Sequence, residues 1–574
     1  MAAKVMPHAS LHKTWRWLVL HPRWLLGITV IVALIPFLAK PFNMDDPLFV
    51  WAARQIQAHP GNPYGFNVNW YGSVTPMWEV TMNPPLACYY LAAAAGIFGW
   101  SEVALHTAFL LPALAVIFGT HRLTRLFCGR PLLASFLTLL TPVFLVSSTT
   151  VMCDVLMLAL WVWSVVFWVE GTRQASLLRM SCAGLLIGLA VLTKYYAVAL
   201  IPLLAAYSFI QRKRFGAWIV GLLIPVVVLC AYHLVTQRLY GRTLLSDAMT
   251  YTAFPKGMPE FLSAKAGNFL TALTFTGGCL AMATFFAPLL WRGRQLMLIG
   301  GGAALLAALL IGSGAVLKDY GPIVGSSRLF IEFQIIFWAI GGASILALAI
   351  ADLLHRRDAD SWLLVLWVLG TFLFAALFNW TVNGRTILPM APAVAILLVR
   401  RLEQNVLANN NEWPRRLSAG VVVGAVLAFL VARADFLFAS AVRQSAQQVH
   451  SKYARGPEKF WFQGHWGFQY YMEARGAAAL DEEHTLLQRG HIIATPLNNA
   501  NVSPLGPDLV VLREMITITG PQWLTTMTGE VGAGFYASLR GPLPFAFGLV
   551  PPERVAVCVV DPITPPSQQK ALDR

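Results

Sequence analysis

The chain has 574 residues, 57% of them hydrophobic and only 12% charged, with a mean hydropathy of +0.61. Soluble domains carry roughly 25% charged residues, so these totals exclude an ordinary soluble protein and place most of the chain in lipid. The net charge of +15 fits basic cytoplasmic loops and contact with anionic membrane lipids; no soluble segment carries the aromatic and arginine array that nucleic acid would need.

The N-terminus places Lys4, Lys13, Arg16 and Arg23 before an apolar run. No small-residue cleavage site follows Phe37-Leu38-Ala39-Lys40, so the run over 23–40 reads as a retained first span. Residues 41–101 are rich in proline and aromatics, with His59-Pro60-Gly61-Asn62-Pro63 and Asn83-Pro84-Pro85 as breakers. They predict a long loop holding two helical pieces, 47–58 and 85–98, the second too short to span and lying in the interface.

Twelve further spans are predicted near 103–120, 131–149, 155–169, 180–193, 195–210, 216–236, 266–290, 296–316, 328–350, 361–378, 386–399 and 417–433. Alternate junctions are basic: Arg122/Arg125/Arg130, Arg173/Arg179, Arg212/Lys213/Arg214, Arg292/Arg294, Arg356/Arg357 and Arg400/Arg401/Arg415/Arg416. The positive-inside rule makes these junctions and the N-terminus cytoplasmic. The opposite junctions then share the outer side: the Asp45-Asp46 loop, Asp154, Lys194-Tyr195, 237–265, Lys318-Asp319-Tyr320 and 379–385.

Beyond residue 433 the composition becomes ordinary, and His491–Ala494, Leu509–Leu512 and Arg554–Val560 read as strands, with a helix over 466–475. The expected organisation is a transmembrane unit over 1–433 and a small outer α/β domain over 434–574. The seven cysteines are scattered singly, only Cys558 falls in the tail, and no Cys/His spacing suggests a metal ligand set.

Two adjacent carboxylates at a span mouth, Asp45 and Asp46, are costly to desolvate and repel each other. They either cap the following helix or face water, a cation or substrate. Asp154 is a second acid at a span end, readable as a helix N-cap or as part of an acid–base pair. Glu79 and Asn83, before Pro84-Pro85-Leu86, are candidates to line a substrate, or a plain proline-rich helix start. Lys194 either snorkels to the headgroups or meets a phosphate, and Tyr195, which follows it, is a further candidate to line a substrate. Arg385 has the same two readings, favoured for phosphate by its planar fork; Arg328 is a weaker third cation, and His465-Trp466 reads as structural.

These motifs in this order resemble the membrane-embedded GT-C glycosyltransferases, and within them the branch of protein O-mannosyltransferases and the aminoarabinose lipid A transferase. MDDPLFVWAARQI resembles the acidic motif of the first outer loop, NPPLACYYLAAAAGIFGWSEVALH the Lys-Pro-Pro-Leu interfacial helix, and TTVMCDVLMLALW the second acidic motif. GLAVLTKYYAVALIPLL resembles the Leu-Thr-Lys turn and NGRTILPMAPAVAIL the late Arg-x-x-Leu-Pro motif, so the likeness runs over 23–400. GHWGFQYYMEARGA resembles the outer domain of bacterial members more weakly. Two positions depart: Asn83 stands where relatives carry Lys, and Pro47-Leu48 replaces a frequent Ala-Arg.

The resemblance implies a polytopic α-helical membrane protein of GT-C fold, with about 13 spans and interfacial helices in the first outer loop. It implies an inverting transfer of a sugar from a polyprenyl-phosphate donor to a protein, lipid or glycan acceptor outside the cytoplasmic membrane. Asp45 matches the base and Asp154 the second-loop acid, with Asp46 beside them; Lys194 and Arg385 match positions near the donor phosphate. No cofactor is expected, and the branch needs no catalytic metal, although Asp45, Asp46 and Asp154 are of a type that could hold a divalent cation. The alternatives are a transporter or flippase of a lipid-linked or anionic substrate, which would place acids near mid-span, and a membrane scaffold whose tail binds a partner.

Overall fold

A computed structural model describes residues 21–253, 261–316, 328–405, 415–454, 456, 458–500 and 502–561. Lys4, Lys13, Arg16 and Lys318-Asp319-Tyr320 lie outside the described residues, as do the side chains of Arg415 and Arg416. Among the described residues, seven helices are long and apolar enough to cross a membrane, or up to nine if each of two bent pairs is one span. Three shorter apolar helices accompany them. This is the make-up of a multi-pass membrane protein, mostly helical, with a strand-containing C-terminal part.

Helix α1 (Pro22–Leu34) leads into the first long loop, which holds α2 (Asp46–Ala58), the hairpin β1 (Asn67–Asn69) with β2 (Val74–Pro76), and α3 (Leu86–Phe98). At 13 residues, α3 is short for a span. Helix α4 (Glu102–Phe127) starts where Ser101 Oγ accepts from Ala104 N–H. The predicted span 131–149 is broken into α5 (Pro131–Leu139) and α6 (Pro142–Ser148), bent by 63°. Pro142 has no N–H to continue α5, and Thr141 caps the new start by accepting from Phe144 N–H.

Helices α7 (Asp154–Gln174), α8 (Leu177–Thr193), α9 (Leu200–Arg212) and α10 (Trp218–Tyr240) follow, α9 being preceded by a 3₁₀ turn over Tyr195–Ala199. Helices α11 (Phe261–Cys279) and α12 (Ala281–Leu290) divide the predicted span 266–290, with an 86° bend. Gly277-Gly278 weakens the helix there, and Thr284 Oγ1 donates to the Gly277 carbonyl at 2.9 Å. Helices α13 (Gly293–Gly312), α14 (Arg328–Arg356), α15 (Ala359–Leu373) and α16 (Ala391–Asn405) complete this part, with a short turn over Gly384–Ile387 before α16.

Burial separates the centre from the lipid face. The apolar window of α7 is 78% buried, against 22% for α10 and 17% for α13. Helix α7 is therefore central, and whatever its first turn carries is surrounded by protein. Helices approach closely where side chains are absent: a Cβ on Gly184 would lie 2.1 Å from the Gly221 carbonyl oxygen. Small residues serve this purpose in lipid, where hydrophobic burial drives no association.

Helix α17 (Arg415–Tyr453) has 39 residues, roughly 58 Å at 1.5 Å per residue and about twice a hydrocarbon core. The boundary expected at 433/434 falls inside it, and the helix carries the chain from the apolar bundle into the C-terminal part. There β3 (Phe460–Phe462), α18 (Trp466–Glu473), β4 (Ala478–Ala479), β5 (Ile492–Pro496), β6 (Val510–Ile518) and β7 (Glu553–Val560) build an α/β unit. Its five-stranded sheet runs β4-β3-β5-β7-β6, with β3 parallel to both neighbours and β7 antiparallel to both of its own. Between β6 and β7 the chain leaves the sheet and packs on the bundle: Phe547 exchanges hydrogen bonds with Gln334 of α14 at 2.8 and 3.0 Å.

Candidate active site

Four consecutive residues at the start of α7 tie the separated motifs together. Val151 N–H donates to Asp46 Oδ1 at 2.9 Å. Met152 Sδ lies 3.0 Å from Arg385 Nη1. Cys153 Sγ lies 3.6 Å from Asn83 Oδ1. Asp154 Oδ1 accepts from Lys194 Nζ at 2.6 Å. Segments more than 300 residues apart in sequence thus meet on one turn.

The adjacent acids have different environments. Asp46 is buried, at 1% exposure, and accepts from the N–H groups of Asn43 (3.1 Å) and Val151. It locks the turn that precedes α2, where Met44 has φ +51, a left-handed conformation uncommon for a side chain of that size. Asp45 is one-third exposed and ion-paired with Arg385 Nη1 at 2.8 Å. Asp45 is therefore the acid that a substrate can reach, and Asp46 the one that shapes the loop.

Burial pushes the Asp46 carboxyl up to about 7, against the opposing pull of Lys40 and of the two N–H donors. The folded state then holds a proton that the unfolded chain releases near the usual carboxylate range. This contribution to stability is full below about pH 4, is lost as pH rises toward 7, and changes no further above it, at about 1.4 kcal/mol per pH unit. Asp46→Asn should flatten that slope in urea unfolding of the detergent-solubilised protein; an unchanged slope would assign it to another group.

Arg385 sits in the turn Gly384–Ile387, capped by Asn383 Oδ1 accepting from Thr386 N–H at 2.8 Å. Its Nη1 is shared between Asp45 and Met152, while Nε is buried with no protein partner. Asp154 Oδ2 is likewise buried and unpartnered. Lys194 ends α8 and is one-fifth exposed. Tyr195, next to it, bonds to Tyr232 Oη at 3.2 Å. Asn83 accepts at its carbonyl from Tyr64 Oη at 2.8 Å. Glu79 is exposed and pairs with Arg242 at 3.2 Å, at the rim rather than in the cluster. Arg328 is not brought in by any described contact: it is exposed and pairs with Glu332 one turn along α14 at 2.9 Å. Among the described residues no three His, Cys, Asp or Glu side chains gather as a metal site would require. Asp45, Asp46 and Asp154 are each held by a different partner.

Sequence reasoning missed the contribution of the C-terminal part. Tyr536 lays its ring 5.7 Å from the Arg385 guanidinium, and its hydroxyl donates to Asp435 of α17 at 2.9 Å. Asp435 also pairs with Lys40, both fully buried, and accepts from Thr526 Oγ1 at 2.7 Å. An acid within an apolar helix is a signal for such a network, but its partners lie far away in sequence. Two glycines let the domain close on the site. A Cβ on Gly384 would meet the Phe535 ring at 2.6 Å, and one on Gly467 the Phe42 carbonyl oxygen at 2.5 Å. Gly467→Ala should cost about 1–3 kcal/mol, read as a lower urea midpoint; an unchanged midpoint would mean that α18 can withdraw freely.

Residues 82–236 match the family described as dolichyl-phosphate-mannose-protein mannosyltransferase. The chain thus resembles the GT-C membrane glycosyltransferases in the family match as in its motifs. No curated protein matches it by sequence. Among solved structures, it is similar to the Archaeoglobus fulgidus oligosaccharyltransferase tethered to an acceptor peptide (14% identity, 81% of this chain and 64% of that chain, TM-score 0.48). It is also similar to ArnT of Cupriavidus metallidurans bound to undecaprenyl phosphate (15% identity, 84% of this chain and 93% of that chain, TM-score 0.42). A third similar structure is the mycobacterial arabinofuranosyltransferase AftD (12% identity, 94% of this chain and 40% of that chain, TM-score 0.38). The chain spans less than two-thirds of the length of the archaeal enzyme.

Proposed function

We propose that this chain is an inverting glycosyltransferase that moves a sugar from a polyprenyl-phosphate donor to an acceptor hydroxyl on the outer face of the cytoplasmic membrane. The observation that carries this reading is the turn Val151–Asp154, which draws a reachable carboxylate and two cations into one site. Asp45 takes the acceptor proton. The acceptor oxygen forms its bond to the sugar C1 as the bond from C1 to the phosphate oxygen breaks, from the opposite face. The polyprenyl phosphate departs with its charge stabilised by Arg385, whose Nε is free to donate, and by Lys194. Asp154 holds Lys194 in place, and no cofactor enters.

The alternation of basic junctions supports an N-terminus inside and a C-terminal domain outside. The acceptor is a protein, a lipid or a glycan. A transporter is the less favoured reading, because the acids sit at helix starts and are tied to one turn rather than spread along a path. The test uses purified protein in lipid, a panel of radiolabelled polyprenyl-phosphate sugars and cell-envelope extract as acceptor source. Release of label from one donor, lost in Asp45→Asn, is the expected result; no release from any donor would make transport the better reading.

A further inference from the structure

A cavity of about 530 Å³ lies between the first long loop and the C-terminal part, apart from the acids and cations of the site. Its walls include Trp51, Arg54 and Gln55 of α2, Asn67 and Asn69 of β1, and Glu473 of α18. Trp51 and Gln55 lie five and nine residues along α2 from Asp46, roughly 8 and 14 Å from the start of that helix. Resting on the transferase reading, we propose that this cavity is an acceptor subsite that binds a carbohydrate, so that the acceptor is a glycan or a glycan-bearing molecule.

The wall chemistry supports that class of ligand. Trp51 is held edge-on against Trp70 and beside Tyr470, each at 6.2 Å, and offers a rigid aromatic surface to the apolar face of a sugar ring. Arg54 is fixed over Trp100 at 5.2 Å and keeps its charge exposed. Asn67 adds an exposed amide that can both donate and accept, and Gln55, whose Nε2 donates to the Asn62 and Gly65 carbonyls at 3.4 Å, adds an amide oxygen to accept from a hydroxyl. Asn69 is buried, at 8% exposure; its Nδ2 donates to the Leu480 carbonyl at 2.9 Å, while Oδ1 has no protein donor. A buried acceptor left unpaired is costly unless a ligand or water donates to it. Glu473 is exposed and accepts from Gln469 Nε2 at 2.7 Å, leaving its second oxygen for a hydroxyl. The walls are also pinned together: Gln469 Nε2 donates to the Asn69 carbonyl at 2.8 Å, and Glu482 N–H to the Gly72 carbonyl at 2.9 Å.

The test uses the full chain in lipid nanodiscs and a panel of neutral trisaccharides built on glucose, mannose, galactose or N-acetylhexosamine. Binding is read by saturation-transfer NMR and by tryptophan fluorescence. At least one trisaccharide should bind, with Trp51→Ala weakening it roughly tenfold and Asn67→Ala roughly threefold or more. Asn67 is exposed, so its variant keeps the fold even if Trp51→Ala does not. A folded native chain that binds no member of the panel, or binding untouched by both substitutions, overturns the inference. Sugar binding that persists while no donor lipid is consumed would count against the transferase reading and leave the cavity assignment standing.

Discussion

Asp45→Asn should lower turnover by about 10²–10⁴-fold, the usual contribution of a positioned general base, while the KM for the donor stays level or falls. The sign of the KM effect follows from the ion pair. In the native chain Asp45 occupies Arg385 Nη1 at 2.8 Å; the neutral amide releases that cation for the donor phosphate. A loss in kcat without a loss in donor binding removes an interaction made in the transition state. The fold should survive, because Asp45 is one-third exposed and Arg385 keeps its contacts with Met152 and the Tyr536 ring. Asp46→Asn is the matched control: it touches the same loop but faces backbone N–H groups, so it should move stability more than kcat. A greater loss of kcat in Asp46→Asn than in Asp45→Asn would reverse the two assignments.

The acid pair, the second acid, Lys194 and Arg385 stand out in the sequence because each sits beside a local marker: the end of an apolar run or a helix start. What the sequence withheld was which of them meet. Nothing local pairs Arg385 with Asp45 rather than with Asp46, and nothing local tells the acid that is a third exposed from the one that is fully buried. The bends at Pro142 and after Gly277-Gly278 do not show in the hydropathy pattern, because an average over a span does not register one missing N–H or one weakened turn. The sheet of the C-terminal part was readable from its short apolar runs. Its contact with the bundle was not, since residues 519–552 carry turns and small residues rather than a periodic pattern. Arg328 is the converse case: a lone cation at a span start reads as available in the sequence, and in the fold its own helix supplies Glu332.

Lys40→Met should destabilise the protein by about 3–5 kcal/mol, because it strands a buried carboxylate. Lys40 and Asp435 are each 2% exposed. Asp435 receives two further hydrogen bonds, from Thr526 and Tyr536, whereas Lys40 has Thr149 Oγ1 at 3.3 Å as its second partner. The same logic predicts that Asp435→Leu costs as much alone, and that the double variant Lys40→Met with Asp435→Leu recovers most of the loss. Replacing both members of a buried pair with apolar groups is often neutral. A double variant as unstable as the sum of the singles would mean that the two charges contribute independently and that the pair is not what joins the segments. Tyr536→Phe adds a kinetic readout. Removing one donor to a buried carboxylate should cost about 1–3 kcal/mol. Because the same ring flanks Arg385 at 5.7 Å, loosening it should raise the donor KM as well. If both changes appear together, the C-terminal domain is a wall of the active site; lost stability with unaltered donor kinetics would confine its role to holding the fold.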